Sequence, residues 1–211
     1  MRSSRAASVL VENEMIDSRT KDESGLVCAA CEGDKEALQM LLKANWGWLK
    51  GLVYSVLGGA QDLDDVMQEI CLRVIQRIRT LREPERFRGW LAVLARREAI
   101  SHCRSRRPKA ISLDGSPLPE HADDDVDDPA EDLERKELYG RVLEAVRALP
   151  EKYREVFMLA HSGELTYAQI AEVLDVPITT MQIRLVRARQ MIRDQVTGKS
   201  GHEVQENERY A

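Results

Sequence analysis

The residues of this chain that could do chemistry are cations, hydroxyls and amides rather than nucleophiles. No Ser/His/Asp arrangement and no glycine-rich phosphate loop occurs, and the four histidines (102, 121, 161 and 202) are scattered. Covalent and acid–base catalysis therefore have no evident seat, and the chain is not expected to be an enzyme. Cys28 and Cys31 form a CxxC pair without the second half of a zinc site. They read first as small apolar residues and second as a redox pair. The acids of Asp123 to Asp128 lack the glycine and terminal glutamate of a calcium loop. No cofactor and no metal is expected.

Charge is segregated. The formal net charge is −5, yet Leu72 to Lys109 holds 12 Lys/Arg against three acids, a net of +9. Ala110 to Glu137 holds 11 acids against Arg135 and Lys136, a net of −9. Ile178 to Arg193 holds four arginines and no acid. Two basic blocks flanking an acidic stretch can bind a polyanion despite an acidic average. Solvated helix faces are the plainer alternative.

The second basic block reads as the reading helix of a helix-turn-helix. Thr166 to Leu174 is a short amphipathic segment opened by a Thr166/Gln169 capping box, with Ile170, Ala171 and Leu174 facing inward. Asp175-Val176-Pro177 makes the turn. Ile178, Met181, Leu185, Ala188 and Ile192 then recur at steps of 3, 4, 3 and 4, one buried stripe. The opposite side presents Thr179, Thr180, Gln182, Ile183, Arg184, Val186, Arg187 and Arg189. Hydroxyls and arginines suit phosphates; glutamine and apolar side chains suit adenine edges and thymine methyls. An ordinary helical hairpin is the competing reading.

The elements that must hold these residues are helices. Few aromatics (5%) and no run near the roughly 18 apolar residues of a membrane span point to an all-α chain without membrane insertion, expected in the cytoplasm with reduced thiols. Residues 25–107 read as helix almost throughout. One helix buries Leu38, Leu41, Leu42, Trp46, Leu49, Val53 and Val56, and stops at Gly58-Gly59. A second buries Leu63, Val66, Ile70, Val74 and Ile78. Thr80 to Arg86 is a loop. A third carries Phe87, Trp90, Leu91, Leu94, Ala95 and Ile100 and fades before Pro108. Residues 108–132 read as an acidic flexible linker. Helical pattern resumes with Leu133, Leu138, Val142, Leu143, Val146 and Leu149; Pro150 breaks it and opens the next helix, closed by Gly163. Residues 1–24 and 197–211 read as loose extensions, and either Met1 or Met15 is a candidate start. The expectation is two small helical domains, 25–107 and 133–196, on a flexible tether.

The blocks together resemble a bacterial RNA polymerase sigma factor of the extracytoplasmic-function (ECF) type, in the sigma-70 family. Gly33 to Leu38 resembles the start of sigma domain 2, Asp64-Asp65-Val66-Met67-Gln68-Glu69-Ile70 resembles region 2.2, and Phe87-Arg88-Gly89-Trp90-Leu91 through Arg96 resembles regions 2.3–2.4. Leu149-Pro150-Glu151 through Phe157 resembles region 4.1, and Tyr167 to Ala171 with Pro177 to Arg189 resembles region 4.2.

The resemblance implies a factor that binds core RNA polymerase through the β′ clamp helices and the β flap. It implies recognition of −10 and −35 promoter DNA, help in melting it, and room for an anti-sigma partner. It places Asp64, Asp65, Gln68 and Glu69 against the clamp helices; the alternative is a solvated acidic first turn that suits the helix dipole. It places Arg86, Arg88, Arg96, Arg97 and Arg104 on −10 DNA, with the loop Thr80 to Arg86 where the family holds a flipped base; Trp90, by its place on the apolar face, reads as core, with contact to a base as the alternative. It turns Gln182, Ile183, Val186 and Arg187 toward −35 bases and Thr179, Thr180, Arg184 and Arg189 toward the backbone. The acidic linker then lies near the polymerase cleft as an RNA mimic, or is a plain tether.

Departures are Arg97 for the family's usual asparagine, Ser101-His102-Cys103 for Asp-Tyr-Leu-like residues, Thr179 to Arg184 for Gly-Thr-Val-Lys-Ser-Arg, and Asp175 for glycine. Asp175 is tolerable because aspartate enters the left-handed region more readily than most residues. The rival reading is a free-standing helix-turn-helix regulator with a helical sensor or dimerisation domain. Such a domain needs no acidic helix followed by a basic Phe-Arg-Gly-Trp-Leu helix.

Overall fold

The computed structural model describes residues 23–106 and 129–198. The expected linker core and both terminal extensions lie largely outside the described residues. The described residues form eight α-helices, and no strand occurs among them. Helix α1 spans 23–32. It is followed by α2 (Lys35–Leu57), α3 (Leu63–Arg77), α4 (Phe87–Ser105), α5 (Pro129–Ala148), α6 (Glu151–His161), α7 (Tyr167–Leu174) and α8 (Ile178–Val196).

Local chemistry sets the ends. Gly33 at φ 107° turns the chain between α1 and α2. Asp34 then caps α2, its carboxylate accepting from the amides of Glu36 (2.8 Å) and Ala37 (3.1 Å). Gly58 closes α2 at φ 75°, its N–H donating to the Tyr54 carbonyl. The expected loop between α3 and α4 contains two single 3₁₀ turns, Ile78–Thr80 and Pro84–Arg86. Pro150 separates α5 from α6 and stands at the N-cap of α6.

The apolar stripes lie mostly where their periodicity places them. Leu63, Val66, Ile70, Val74 and Ile78 are all buried, as are Leu41, Leu49, Val53 and Val56. Trp46 is a correction: it is exposed, and Trp48 is the buried tryptophan, its indole N–H donating to Asn45 Oδ1 at 2.8 Å. Ile178 and Leu138, expected inward, are exposed: Ile178 is the first residue of α8, and Leu138, midway along α5, precedes the part of that helix that packs on α8 through Ala145, Val146 and Leu149. Trp90 packs against the core, its ring 6.1 Å from that of Phe87.

The two helical halves do not stand apart. One buried cluster joins Leu41, Leu49 and Leu52 of α2, Met67 and Ile70 of α3 and Phe87 and Leu91 of α4 to Val156 and Leu159 of α6, Ile170 of α7 and Met181 of α8. Helix α6 packs on α2 on one side and on α8 on the other, and α7 lies on α4. A smaller cluster ties Ala145, Val146 and Leu149 of α5 to Ala188 and Ile192 of α8.

Candidate nucleic-acid interface

The helix-turn-helix is built as its residues dictate. Gln169 N–H donates to Thr166 Oγ1, and Gln169 Oε1 accepts from the Thr166 amide at 2.8 Å, a complete capping box. Asp175 terminates α7 in the left-handed region at φ 55°, its N–H donating to the Ala171 and Glu172 carbonyls. Met181, Leu185 and Ala188 bury the inner stripe of α8. The outer face is open: Thr179, Gln182, Ile183, Val186, Arg187 and Arg189 are exposed, and Thr180 and Arg184 are half-buried. Ile183 and Val186 are 55% and 67% exposed. Two large aliphatic side chains held in water beside arginines have no packing reason to be there; such a face suits base edges and phosphates.

Helix α4 is more complicated. Of the five arginines assigned to it or its approach, Arg86, Arg97 and Arg104 are exposed. Arg86 pairs with Glu83 at 2.6 Å in the turn before α4. Arg88 is buried, contrary to its expected availability. Its Nε donates to Glu23 Oε2 at 2.8 Å and its Nη1 to Glu164 Oε2, and Glu23 Oε1 also accepts from Asn45 Nδ2. Arg96 Nε donates to Glu155 Oε2 at 2.8 Å. Burial pushes the Glu155 carboxyl up, while the hydrogen bond and charge of Arg96 pull it down. Both arginines thus find acids on the other half of the molecule: Glu155 on α6, and Glu164 in the turn before α7. Arg154 adds a third tie, its Nε donating to the Ser55 carbonyl at the end of α2 at 2.9 Å. An open cleft beside the Arg96–Glu155 pair is lined by Arg184 and Lys152 as well.

Helix α3 presents the acidic face. Asp64, Asp65 and Gln68 are exposed and Glu69 is half-buried, pairing with Arg73 at 3.0 Å. Lys50 stands 3.4 Å from Asp64. Asp62 is not part of a free acidic face: it pairs with His102 (3.4 Å) and Arg106, tying the start of α3 to the end of α4. Leu72 and Ile75, 53% and 55% exposed, extend the outward stripe of Asp65 and Gln68. Sequence reasoning passed over them, although two aliphatic residues off the buried stripe of Val66, Ile70 and Val74 were a legible signal.

The cysteine pair offers little chemistry. Cys31 Sγ donates to the Ile78 carbonyl at 3.2 Å, and burial first, then Cys28 and Glu32, raises its pKa and disfavours the thiolate. Among the described residues no three His, Cys, Asp or Glu side chains are grouped to hold a metal ion.

Comparison with known proteins agrees with this geometry. Residues 41–109 match the model of sigma-70 region 2, and residues 139–192 match that of sigma-70 region 4. The ECF RNA polymerase sigma-E factor of Haemophilus influenzae is 28% identical over 184 residues, 82% of this chain and 95% of that protein. The RNA polymerase sigma-H factor of Pseudomonas aeruginosa is 28% identical over 82% of this chain and 92% of its own length. The ECF sigma factor SigW of Bacillus subtilis is 25% identical over 78% and 91%. Two solved structures share the fold. CnrH in complex with the cytosolic domain of CnrY has a TM-score of 0.59 at 22% identity, covering 84% of this chain and 99% of that one. The sigma factor RpoE in complex with the anti-sigma factor NepR, from Bartonella quintana, has a TM-score of 0.60 at 18% identity, covering 77% and 96%. With sigma-70 regions 2 and 4 matched in order along the chain and ECF sigma factors among its relatives over most of their length, the chain belongs to the sigma-70 family as an ECF sigma factor.

Proposed function

We propose that this sigma factor divides its work among three helix faces. The outward stripe of α3, Asp64, Asp65, Gln68 and Glu69 extended by Leu72 and Ile75, docks on the polymerase clamp helices. An acidic rim with an apolar end suits a basic helical partner and repels DNA. Helix α4 and its approach meet the −10 element through Arg86, Arg97 and Arg104, with the half-buried Arg96 beside them, supplying the cationic track that a separated strand needs; Arg88, held by Glu23 and Glu164, supports that helix from within. Helix α8 reads the −35 element, with Gln182, Ile183, Val186 and Arg187 at base edges and Thr179, Thr180, Arg184 and Arg189 at phosphates. The RNA-forming chemistry belongs to the polymerase, and the factor acts beside it in the cytoplasm. No helix among the described residues is long and apolar enough to cross a membrane. The observation that carries the reading is the free outer face of α8, with Ile183 and Val186 exposed beside Arg187.

The test separates the faces. Arg187→Ala weakens promoter binding and leaves polymerase binding intact; Gln68→Ala with Glu69→Ala does the reverse. Equal loss of both activities in either variant defeats the division of labour.

A further inference from the structure

At rest the CxxC pair is inert, but it lies on a helix that braces both ends of the loop Thr80 to Arg86. At the near end, Cys31 Sγ of α1 donates to the Ile78 carbonyl at 3.2 Å. Beside it, a Cβ placed on Gly33 would stand 2.9 Å from Arg79 Nη2. At the far end, Glu23 Oε2 of α1 accepts from Arg88 Nε at 2.8 Å, while Glu23 Oε1 accepts from Asn45 Nδ2 of α2. Between these ends α1 is seated by Val27 and Ala30, both buried. The two attachments differ in strength. The far end is a charged, nearly buried pair. The near end hangs on one S–H, a weak donor. The Ile78 carbonyl also accepts the Leu81 N–H at 3.0 Å, the bond that closes the first turn of the loop. Cys31 and that turn therefore share one acceptor.

We propose that Cys28 and Cys31 are a reversible thiol–disulfide site whose oxidation by a hydroperoxide releases the Ile78 end of the loop Thr80 to Arg86. The effect on transcription rests on the reading of that loop as the holder of a −10 base; the chemistry of the pair does not. Both residues are thiols, Cys28 exposed and Cys31 half-buried one turn further along α1. Residues three apart on a helix are neighbours on one face. Cys31 is held by its hydrogen bond, so the reaction starts at the open Cys28. Its sulfur attacks a peroxide oxygen, the O–O bond breaks, and a sulfenic acid forms as one water leaves. Cys31 sulfur then displaces the sulfenic hydroxyl, which departs with the Cys31 proton as a second water. Two thiols lose two electrons and one peroxide becomes two waters. The proton given up by Cys31 is the one that the Ile78 carbonyl accepts, so bridge and hydrogen bond exclude each other. Geometry acts in the same direction. Helical β-carbons at this spacing lie about 5–6 Å apart, and a disulfide holds them at about 3.5–4.5 Å. The last turn of α1 must draw in by about 1–2 Å, away from Ile78 and Arg79. A bridge under such strain is readily reduced, which suits a site that returns to its thiols in a reducing compartment.

The experiment uses the full chain, reduced, treated with hydrogen peroxide and then desalted. Mass spectrometry of the tryptic peptide 22–35, which carries both cysteines, reads the bridge. Amide hydrogen exchange reads residues 78–86, with α8 as the internal reference. Run-off transcription with untreated core polymerase on fragmented genomic DNA reads the function. The peptide is expected to lose two hydrogens and to regain them with dithiothreitol. Exchange at 78–86 quickens about threefold, the weight of one weak hydrogen bond, and α8 is unchanged. The start sites fade and return with dithiothreitol. Cys31→Ser keeps a donor for the Ile78 carbonyl and cannot bridge, so it matches reduced wild type before and after peroxide. Cys31→Ala has neither donor nor bridge, and its loop exchanges like that of the oxidised wild type without any peroxide.

Thiols that stay free in that peptide, a sulfinic acid in place of the bridge, or a bridge between two chains overturns the site. A bridge that leaves exchange at 78–86 unchanged overturns its coupling to the loop. A bridge that quickens the loop and leaves the start sites as they were upholds the site and defeats the reading of the loop as the holder of a −10 base.

Discussion

Gly51 gives the packing of the halves a test in which two physical effects have opposite signs. It lies within α2, buried, and a Cβ built there stands 3.1 Å from Cε of Met158 on α6. Glycine inside a helix costs about 0.8–1 kcal/mol relative to alanine, and leucine is nearly as good a helix former. In an isolated N-terminal half, both Gly51→Ala and Gly51→Leu therefore stabilise. In the packed molecule they diverge. The alanine methyl asks the end of one flexible methionine to move by a few tenths of an ångström, so about 0.5 kcal/mol of the helix gain survives. Leucine adds three further carbons where α6 already sits, and overpacking of this kind costs about 1–3 kcal/mol. The net for Gly51→Leu is a loss of about 1 kcal/mol, or roughly 2–4 °C in Tm for one cooperative unit of this size. Scanning calorimetry reads both variants. A higher Tm for Gly51→Leu than for the wild type refutes the packed arrangement.

Three further outcomes follow from local geometry. Asp175 at φ 55° tolerates its left-handed backbone, and a β-branched residue does not; Asp175→Val lowers stability by about 1–2 kcal/mol in denaturant melts and weakens duplex binding with it. Thr166→Ala removes the oxygen that accepts the Gln169 amide and costs about 1 kcal/mol, measured in the same melts. The Glu155 carboxyl is raised above its ordinary 4.5 in the folded chain, chiefly by burial. The folded state then holds that proton more tightly than the unfolded one, so the contribution of Glu155 is full below its ordinary range and declines as pH rises through its folded value. Melts from pH 4 to 7 should show the Tm of the wild type falling relative to that of Glu155→Gln; a difference that is flat in pH or opposite in sign contradicts the burial.

Much of this arrangement was legible because it is local. The Thr166/Gln169 box, the left-handed Asp175 and the Met181–Leu185–Ala188–Ile192 stripe depend on residues within a few positions of one another, and periodicity reads such relations directly. The buried stripe of α3 was legible for the same reason. Trp46 and Trp48 show where periodicity stops: two positions apart, they leave the choice of inward ring to the buried Asn45 that receives the Trp48 N–H. The fate of the α4 arginines was not legible at all. A count of cations places +9 on that block, but the acids that neutralise Arg96 and Arg88 lie 59, 65 and 76 residues away along the chain. Nothing in the spacing of Glu23, Glu155 or Glu164 marks them as partners. The contact between the two helical domains was not legible for the same reason, since each shows a complete amphipathic pattern of its own. The fit of α6 between α2 and α8 exists only in three dimensions.

The measurement that bears most directly on the account is reconstitution with bacterial core RNA polymerase and run-off transcription on fragmented genomic DNA from the source organism, with wild type and the Gln68→Ala, Glu69→Ala variant side by side. The account predicts that the wild type co-purifies with the core enzyme and produces new, discrete start sites, and that the variant loses both. Salt-sensitive duplex binding by the chain alone, with no association with the polymerase and no new start sites, contradicts it.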